Sequence, residues 1–139
     1  MERNGSILFP EQYALAKLID HSGWKGLLPR GITPSDVDAV LDTGKRILLI
    51  DFSVKYSEWK DLSYGQRTMY ENIVAHGGGK ITAVLARHKR PEPGIPMNSL
   101  TDIEEFQWMR VVRGFIVYSQ VRGAKYWVPF IKHYFTIGC

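Results

Sequence analysis

Apolar and polar positions along the chain change period several times, and each change marks an expected element. Behind Pro10-Glu11-Gln12 the apolar residues Tyr13, Ala14, Leu15, Ala16, Leu18 and Ile19 recur at helical spacing with proline in the first turn, which predicts a helix ending near Ser22-Gly23. Residues 24–34 carry Gly26, Pro29, Gly31 and Pro34, too many breakers for a regular element. From Asp36 the period drops to two. Val37, Ala39 and Leu41 fall on one face and Asp36, Asp38, Val40 and Asp42 on the other, the pattern of a strand. Thr43-Gly44-Lys45 supplies a tight turn, and the almost unbroken apolar run from Arg46 to Ser53 suits a strand buried on both faces.

After a polar connection, Ser63 is placed to cap a helix over 64–76 that Gly77-Gly78-Gly79 stops. Residues 80–87 read as the next buried strand. The basic run Arg87-His88-Lys89-Arg90 and the proline-rich stretch 91–96 form an irregular excursion. Asp102, Glu104 and Glu105 favour a helix N-terminus, so a short acidic helix is expected over 101–109. Two strands are expected over 111–120 and 124–130 around the Val121-Arg122-Gly123 turn, with 131–135 open to helix or strand. This order implies an α/β (α+β) protein with a central mixed β-sheet flanked by helices. No repeat, low-complexity tract or long linker divides it, so residues 1–139 are expected to be one domain, with a motif-bearing core over 11–88 and a strand-rich aromatic tail over 110–135.

Composition narrows the class. With 45% hydrophobic and 12% aromatic residues the chain can offset the entropy of ordering, which excludes disorder. A lone Cys139 excludes a disulfide framework, and His21, His76, His88 and His133 show no zinc-site spacing. No window reaches the ~18 apolar residues of a membrane span, and Met1-Glu2-Arg3-Asn4 opens no signal peptide, so the cytoplasm is the expected location. Eighteen basic against fourteen acidic residues tilt the chain toward a polyanionic partner.

The placement of acids at adjacent strand ends carries the candidate chemistry. With Lys45 near the turn of a hairpin, Asp38 and Asp51 come out almost opposite one another. Two carboxylates that close raise each other's pKa, and a hard divalent cation with oxygen ligands relieves the repulsion, the backbone carbonyl of Phe52 being a possible third ligand. Asp51 follows a run of aliphatic residues, where an acid is costly unless paired or metal-bound. On the following helix Gln66 and Tyr70 lie one turn apart with Arg67 beside them, a face able to hold phosphate oxygens or a nucleotide.

This series, a helix with an acid, a strand with Asp38, a hairpin, a strand ending in Asp51, then a helix with Gln66-x-x-x-Tyr70, resembles the PD-(D/E)XK nuclease superfamily. The likeness is to its RecB and lambda-exonuclease branch and spans about residues 11–88. It implies a restriction-endonuclease-like core and a metal-dependent nuclease hydrolysing phosphodiester bonds of DNA. Asp38 and Asp51 would then be ligands of Mg²⁺ or Mn²⁺, Glu11 an extra ligand, and Gln66 and Tyr70 would orient substrate. Small solitary domains of this kind resemble products of phages and mobile elements, which act in the host cytoplasm.

One residue departs from the pattern. The family's lysine position, two residues after Asp51, is Ser53. The lysine's role either moves to Lys55, which on a continuing strand would face the same side, or to Arg67, or the site is dead and the fold is kept to bind nucleic acid or a host protein. Arg87, Lys89 and Arg90 are candidates for phosphate contacts, and Trp59, in a polar loop beside Tyr56 and Lys60, for stacking on an unpaired base. Gly77-Gly78-Gly79-Lys80 lacks the spacing of a phosphate loop and reads as a helix stop. The tail aromatics Tyr126, Trp127, Phe130, Tyr134 and Phe135 either complete the core or form a homodimer or protein contact.

Overall fold

The computed structural model describes residues 37–138, with Gly23 and Leu27 besides; the helix expected after Pro10, and Glu11 with it, lie outside the described residues. By contact the chain divides into two compact units, Met1–Asp36 and Val37–Cys139, and the second carries the elements described below.

The first hairpin forms as its residue pattern dictates. Strand β1 (Ala39–Asp42) pairs antiparallel with β2 (Ile47–Ser53), Ala39 opposite Ile50 and Asp42 opposite Ile47. Helix α1 spans Tyr64–His76, with the Ser63 hydroxyl accepting from the Gln66 backbone N–H at 3.3 Å. It stops at Gly77, where even a methyl group would come within 2.6 Å of the Ile81 side chain. Strand β3 (Ile81–His88) then lies parallel to β2, Asp51 beside Leu85 and Ser53 beside Arg87.

The second half departs from expectation. Residues 101–109 are not a helix: β4 runs Ile103–Val112, antiparallel to β3. The acids that suggested a helix start are strand residues, with Glu105 directly opposite Arg87. The next reversal is not at 121–123 but at Arg113-Gly114. Both residues have positive φ (52° and 84°), a two-residue turn whose twist matches the strands it joins, between Val112 and Phe115 at the start of β5 (Phe115–Tyr118). Two residues of β6 (Arg122–Gly123) pair with Glu105 and Phe106 farther along β4. Residues 124–130 are not a strand either, because a 3-10 turn (Ala124–Tyr126) leads into helix α2 (Trp127–Gly138). Pro129 in its first turn and Trp127, Phe130, Ile131 and Tyr134 at i, i+3, i+4 and i+7 explain that helix.

The result is the mixed sheet with helices that the element order implied, in strand order β1-β2-β3-β4-β5. Strand parity divides the core in two. Leu48, Ile50 and Phe52 of β2 pack with Val84, Ala86, Phe106, Trp127 and Tyr134 on the α2 face. Ile47 and Leu49 pack with Trp59, Tyr70, Val74, Leu85 and Met109 on the α1 face. Tyr134 ties α2 to the sheet by donating to the Ile47 carbonyl at 2.7 Å, and Trp127 Nε1 donates to Ser99 O at 2.8 Å. Among the described residues no helix is long and apolar enough to cross a membrane.

Candidate functional site

The register of the first hairpin sets the site. One step beyond the Ala39–Ile50 pair, Asp38 stands across from Asp51, and the Phe52 N–H donates to Asp38 Oδ2 at 2.8 Å. By the two-residue period Asp51 shares its face with Leu49, toward α1. Since α1 begins soon after β2 ends and β3 then runs parallel to β2, the helix returns over the sheet from the carboxyl end of β2. That brings Gln66 and Tyr70 to the end where Asp51 lies.

Electrostatics make this the most perturbed place among the described residues. Burial, then a hydrogen bond and the charge of Asp38, push the Asp51 carboxyl up to about 7, while the Tyr70 hydroxyl acts in the opposite sense. A partly buried carboxyl beside another carboxylate keeps its proton to higher pH than one in open water. Tyr70 is fully buried against Trp59, their ring centroids 4.9 Å apart. Its phenol is pushed above the ordinary range by burial and by the charges of Asp51 and Asp38, so it stays an O–H donor. That hydroxyl has no well-formed hydrogen bond among the described residues, although it faces Asp51 closely enough to favour the ionised carboxylate. A buried polar atom left in that state costs about 1–3 kcal/mol.

The other expected site residues divide. Gln66 is exposed, one helical turn from Tyr70 and near the start of α1. Ser53 turns its hydroxyl away from catalytic work: Oγ accepts from the backbone N–H groups of Lys55 (3.1 Å) and Tyr56 (2.9 Å), closing the turn that ends β2. Because the strand ends there, Lys55 does not continue it as expected, and its ammonium instead lies 5.2 Å from the Tyr56 ring centre. Arg67 Nη1 donates to the Lys60 carbonyl at 3.4 Å and its guanidinium lies 5.9 Å from the Tyr64 ring centre; with Lys60, Glu58, Gln107 and Tyr118 it lines a cavity of about 360 Å³.

Two candidate nucleic-acid contacts need correction. Trp59 does not present its ring to a ligand. It is fully buried, its backbone N–H donating to Gln107 Oε1 and its indole N–H to the Gln107 carbonyl, both at 2.9 Å. Polar neighbours in the sequence hid a core residue. Arg87 is held by two carboxylates, Nε to Glu104 at 3.3 Å and Nη1 to Glu105 at 3.2 Å, so its charge is already matched within the sheet. Lys89 and Arg90 remain exposed beyond the carboxyl end of β3, the end that carries Asp51. Sequence reasoning did not single out Arg110 or Arg122, which fell outside or at the turn between expected elements, and read Trp108 only as core or interface; in the structure Trp108 and Arg110 are β4 residues and Arg122 opens β6.

The donor set suits a hard divalent cation. Asp38 and Asp51 offer carboxylate oxygens that face one another, and the orphaned Tyr70 hydroxyl lies beside Asp51. Mg²⁺ is commonly held by one or two carboxylates and keeps several of its waters. Among the described residues no group of three or more His, Cys, Asp or Glu side chains gathers to hold a metal. No protein-family model, no curated protein and no solved structure matches this chain.

Proposed function

We propose that the protein is a metal-dependent nuclease of the PD-(D/E)XK type that hydrolyses phosphodiester bonds of DNA. The observation that carries this reading is the meeting of Asp38 and Asp51 across the hairpin, with the Asp51 carboxyl pushed up to about 7. The parallel crossover β2-α1-β3, with Gln66 and Tyr70 on the crossover helix, supports it further. Asp38 and Asp51 would hold Mg²⁺ or Mn²⁺. Bound there, the cation supplies Lewis-acid chemistry, neutralising charge on the phosphate and acidifying water.

The chain's own groups do the rest. The Phe52 N–H fixes Asp38, and the buried Tyr70, packed against Trp59, faces Asp51 with its O–H and favours its ionised form. The exposed Gln66 amide NH₂ can donate to substrate phosphate oxygens at the mouth.

A second reading has its own observation. Ser53 occupies the family's lysine position with its hydroxyl bound into a turn, and Lys55 sits over Tyr56, so neither is aimed at the acid pair. This favours a non-cleaving relative that binds nucleic acid or a host protein. Plasmid and oligonucleotide cleavage with Mg²⁺, Mn²⁺ or EDTA decides between them. A nuclease nicks with metal, stops with EDTA and is silenced by Asp51→Ala. Cleavage unchanged in Asp51→Ala sinks the first reading; cleavage by Ser53→Lys and not by the parent establishes the second.

A further inference from the structure

On the sheet face opposite the acid pair, β4 projects Phe106, Trp108 and Arg110 at a two-residue period beside α2. Two adjoining hollows of about 200 and 430 Å³ open there and share Trp108, Phe130 and His133. Arg110 reaches the first and Arg122 and Tyr126 the second. Among the described residues no carboxylate lines either hollow.

The cations are held in an unusual way. The Arg110 guanidinium lies 4.6 Å from the Trp108 ring centre, and that of Arg122 lies 5.2 Å from the Tyr126 ring centre, which the Lys125 ammonium also approaches to 5.1 Å. Neither is ion-paired among the described residues, in contrast to Arg87. A guanidinium resting on an aromatic ring is ordered without spending its N–H donors, so the cost of arranging it for an anion is already met. Tyr126 keeps 41% of its surface exposed, and Arg110 and Arg122 are both exposed.

Unpaired guanidiniums alternating with ring faces are the elements by which proteins hold single strands: charge for the backbone, flat surfaces for the bases. A duplex hides its base faces and would use only the charges. An acidic peptide would match the charges and leave the ring-lined hollows unfilled. We propose that this face binds single-stranded nucleic acid, with Arg110 and Arg122 contacting phosphates through their N–H donors and bases stacking on the guanidinium planes that lie over Trp108 and Tyr126. The platform is separate from the acid pair and does not depend on cleavage there.

The test is fluorescence anisotropy with a labelled oligothymidylate of about 16 nucleotides, in EDTA, across a salt series. The parent is expected to bind, and Arg110→Ala/Arg122→Ala to bind at least ~10-fold more weakly with a salt slope reduced by about 1.4, the share of two phosphate contacts on a single strand. Arg110→Lys/Arg122→Lys guards against a folding failure and tests the flat guanidinium: the slope should hold while affinity falls several-fold. Equal affinity and slope in parent and double-alanine variant overturn the proposal. So does tighter binding of the matching duplex, or competition by polyaspartate as strong as by unlabelled oligonucleotide. Cleavage is not read in this experiment, so the nuclease reading and the platform can fail independently.

Discussion

The two faces of the sheet handle charge in opposite ways. On the α1 face the partly buried Asp51 carboxyl lies against exposed Asp38, while Arg87, on the neighbouring strand, is committed to Glu104 and Glu105. On the α2 face Arg110 and Arg122 rest on aromatic rings with no carboxylate lining the hollows among the described residues. Burying a carboxyl beside another carboxylate is costly, and an ionised Asp51 would gain from a cation there. Exposed guanidiniums cost little to keep, so the basic face is ready to bind without being strained. Both outcomes follow from strand parity, since a two-residue period sends Asp51 to one side and Trp108 and Arg110 to the other.

Each face has its own tryptophan anchor, and removing one should have the largest effect. Trp59→Ala and Trp127→Ala, both essentially without exposed surface, should each cost about 3–5 kcal/mol in urea unfolding. Trp108→Ala, only partly buried, should cost clearly less. Equal losses for all three would erase the distinction between anchor and platform.

Next in size is cleavage. If Asp51 holds the metal as proposed, Asp51→Ala should lower the metal-dependent cleavage rate by at least ~10²-fold, measured on plasmid substrate.

The acid pair also predicts a pH dependence with a definite sign. Unfolded Asp51 loses its proton near 3.8 and folded Asp51 near 7, so between those values the folded state holds more protons. Stability of the metal-free protein should therefore fall as pH rises from about 4 to about 7 and level off above. Asp51→Asn should flatten that limb, and on the proposed metal site Mn²⁺ should restore stability at its upper end; an unchanged slope in Asp51→Asn would mean that the Asp51 carboxyl is not raised in the folded protein.

Tyr70→Phe sharpens the same point. Removing a buried hydroxyl without a good partner should leave the metal-free protein as stable or up to about 1 kcal/mol more stable, while the Asp51 carboxyl moves further up because the favourable O–H is lost. The smallest effect is expected for Arg87→Ala. Its two partly exposed ion pairs should be worth no more than about 1 kcal/mol, and oligonucleotide affinity should stay within about twofold. A large loss of binding would return Arg87 to the nucleic-acid surface.

Legibility in the sequence followed locality. Helix α1 was readable because its cap at Ser63 and its stop at Gly77 lie within one turn of its ends. The acid pair was readable because a hairpin with a short turn leaves a single register to count from. Strand β4 was misleading for a tertiary reason. Ile103, Phe106 and Met109 are buried at spacings of three, as on a helix, yet Ile103 and Phe106 belong to the α2-side core and Met109 to the α1-side core. A register shift at Arg87/His88 changes the parity between Ile103 and Phe106, and burial on both faces adds Met109. Helix α2 did carry its signal, the spacing of Trp127, Phe130, Ile131 and Tyr134, masked by a tail so aromatic that it also suited strands.

The sequence by itself determined the mixed α/β class, the first hairpin, helix α1 and the opposition of Asp38 to Asp51, because local periodicity, caps and turns specify these. Tertiary structure alone decided that Trp59 is core, that Arg87 is spent on Glu104 and Glu105, and that Trp108, Arg110 and Arg122 share a face. Those outcomes depend on which strands become neighbours and in what register. Contacts between residues tens of positions apart settle that, and no local pattern encodes them.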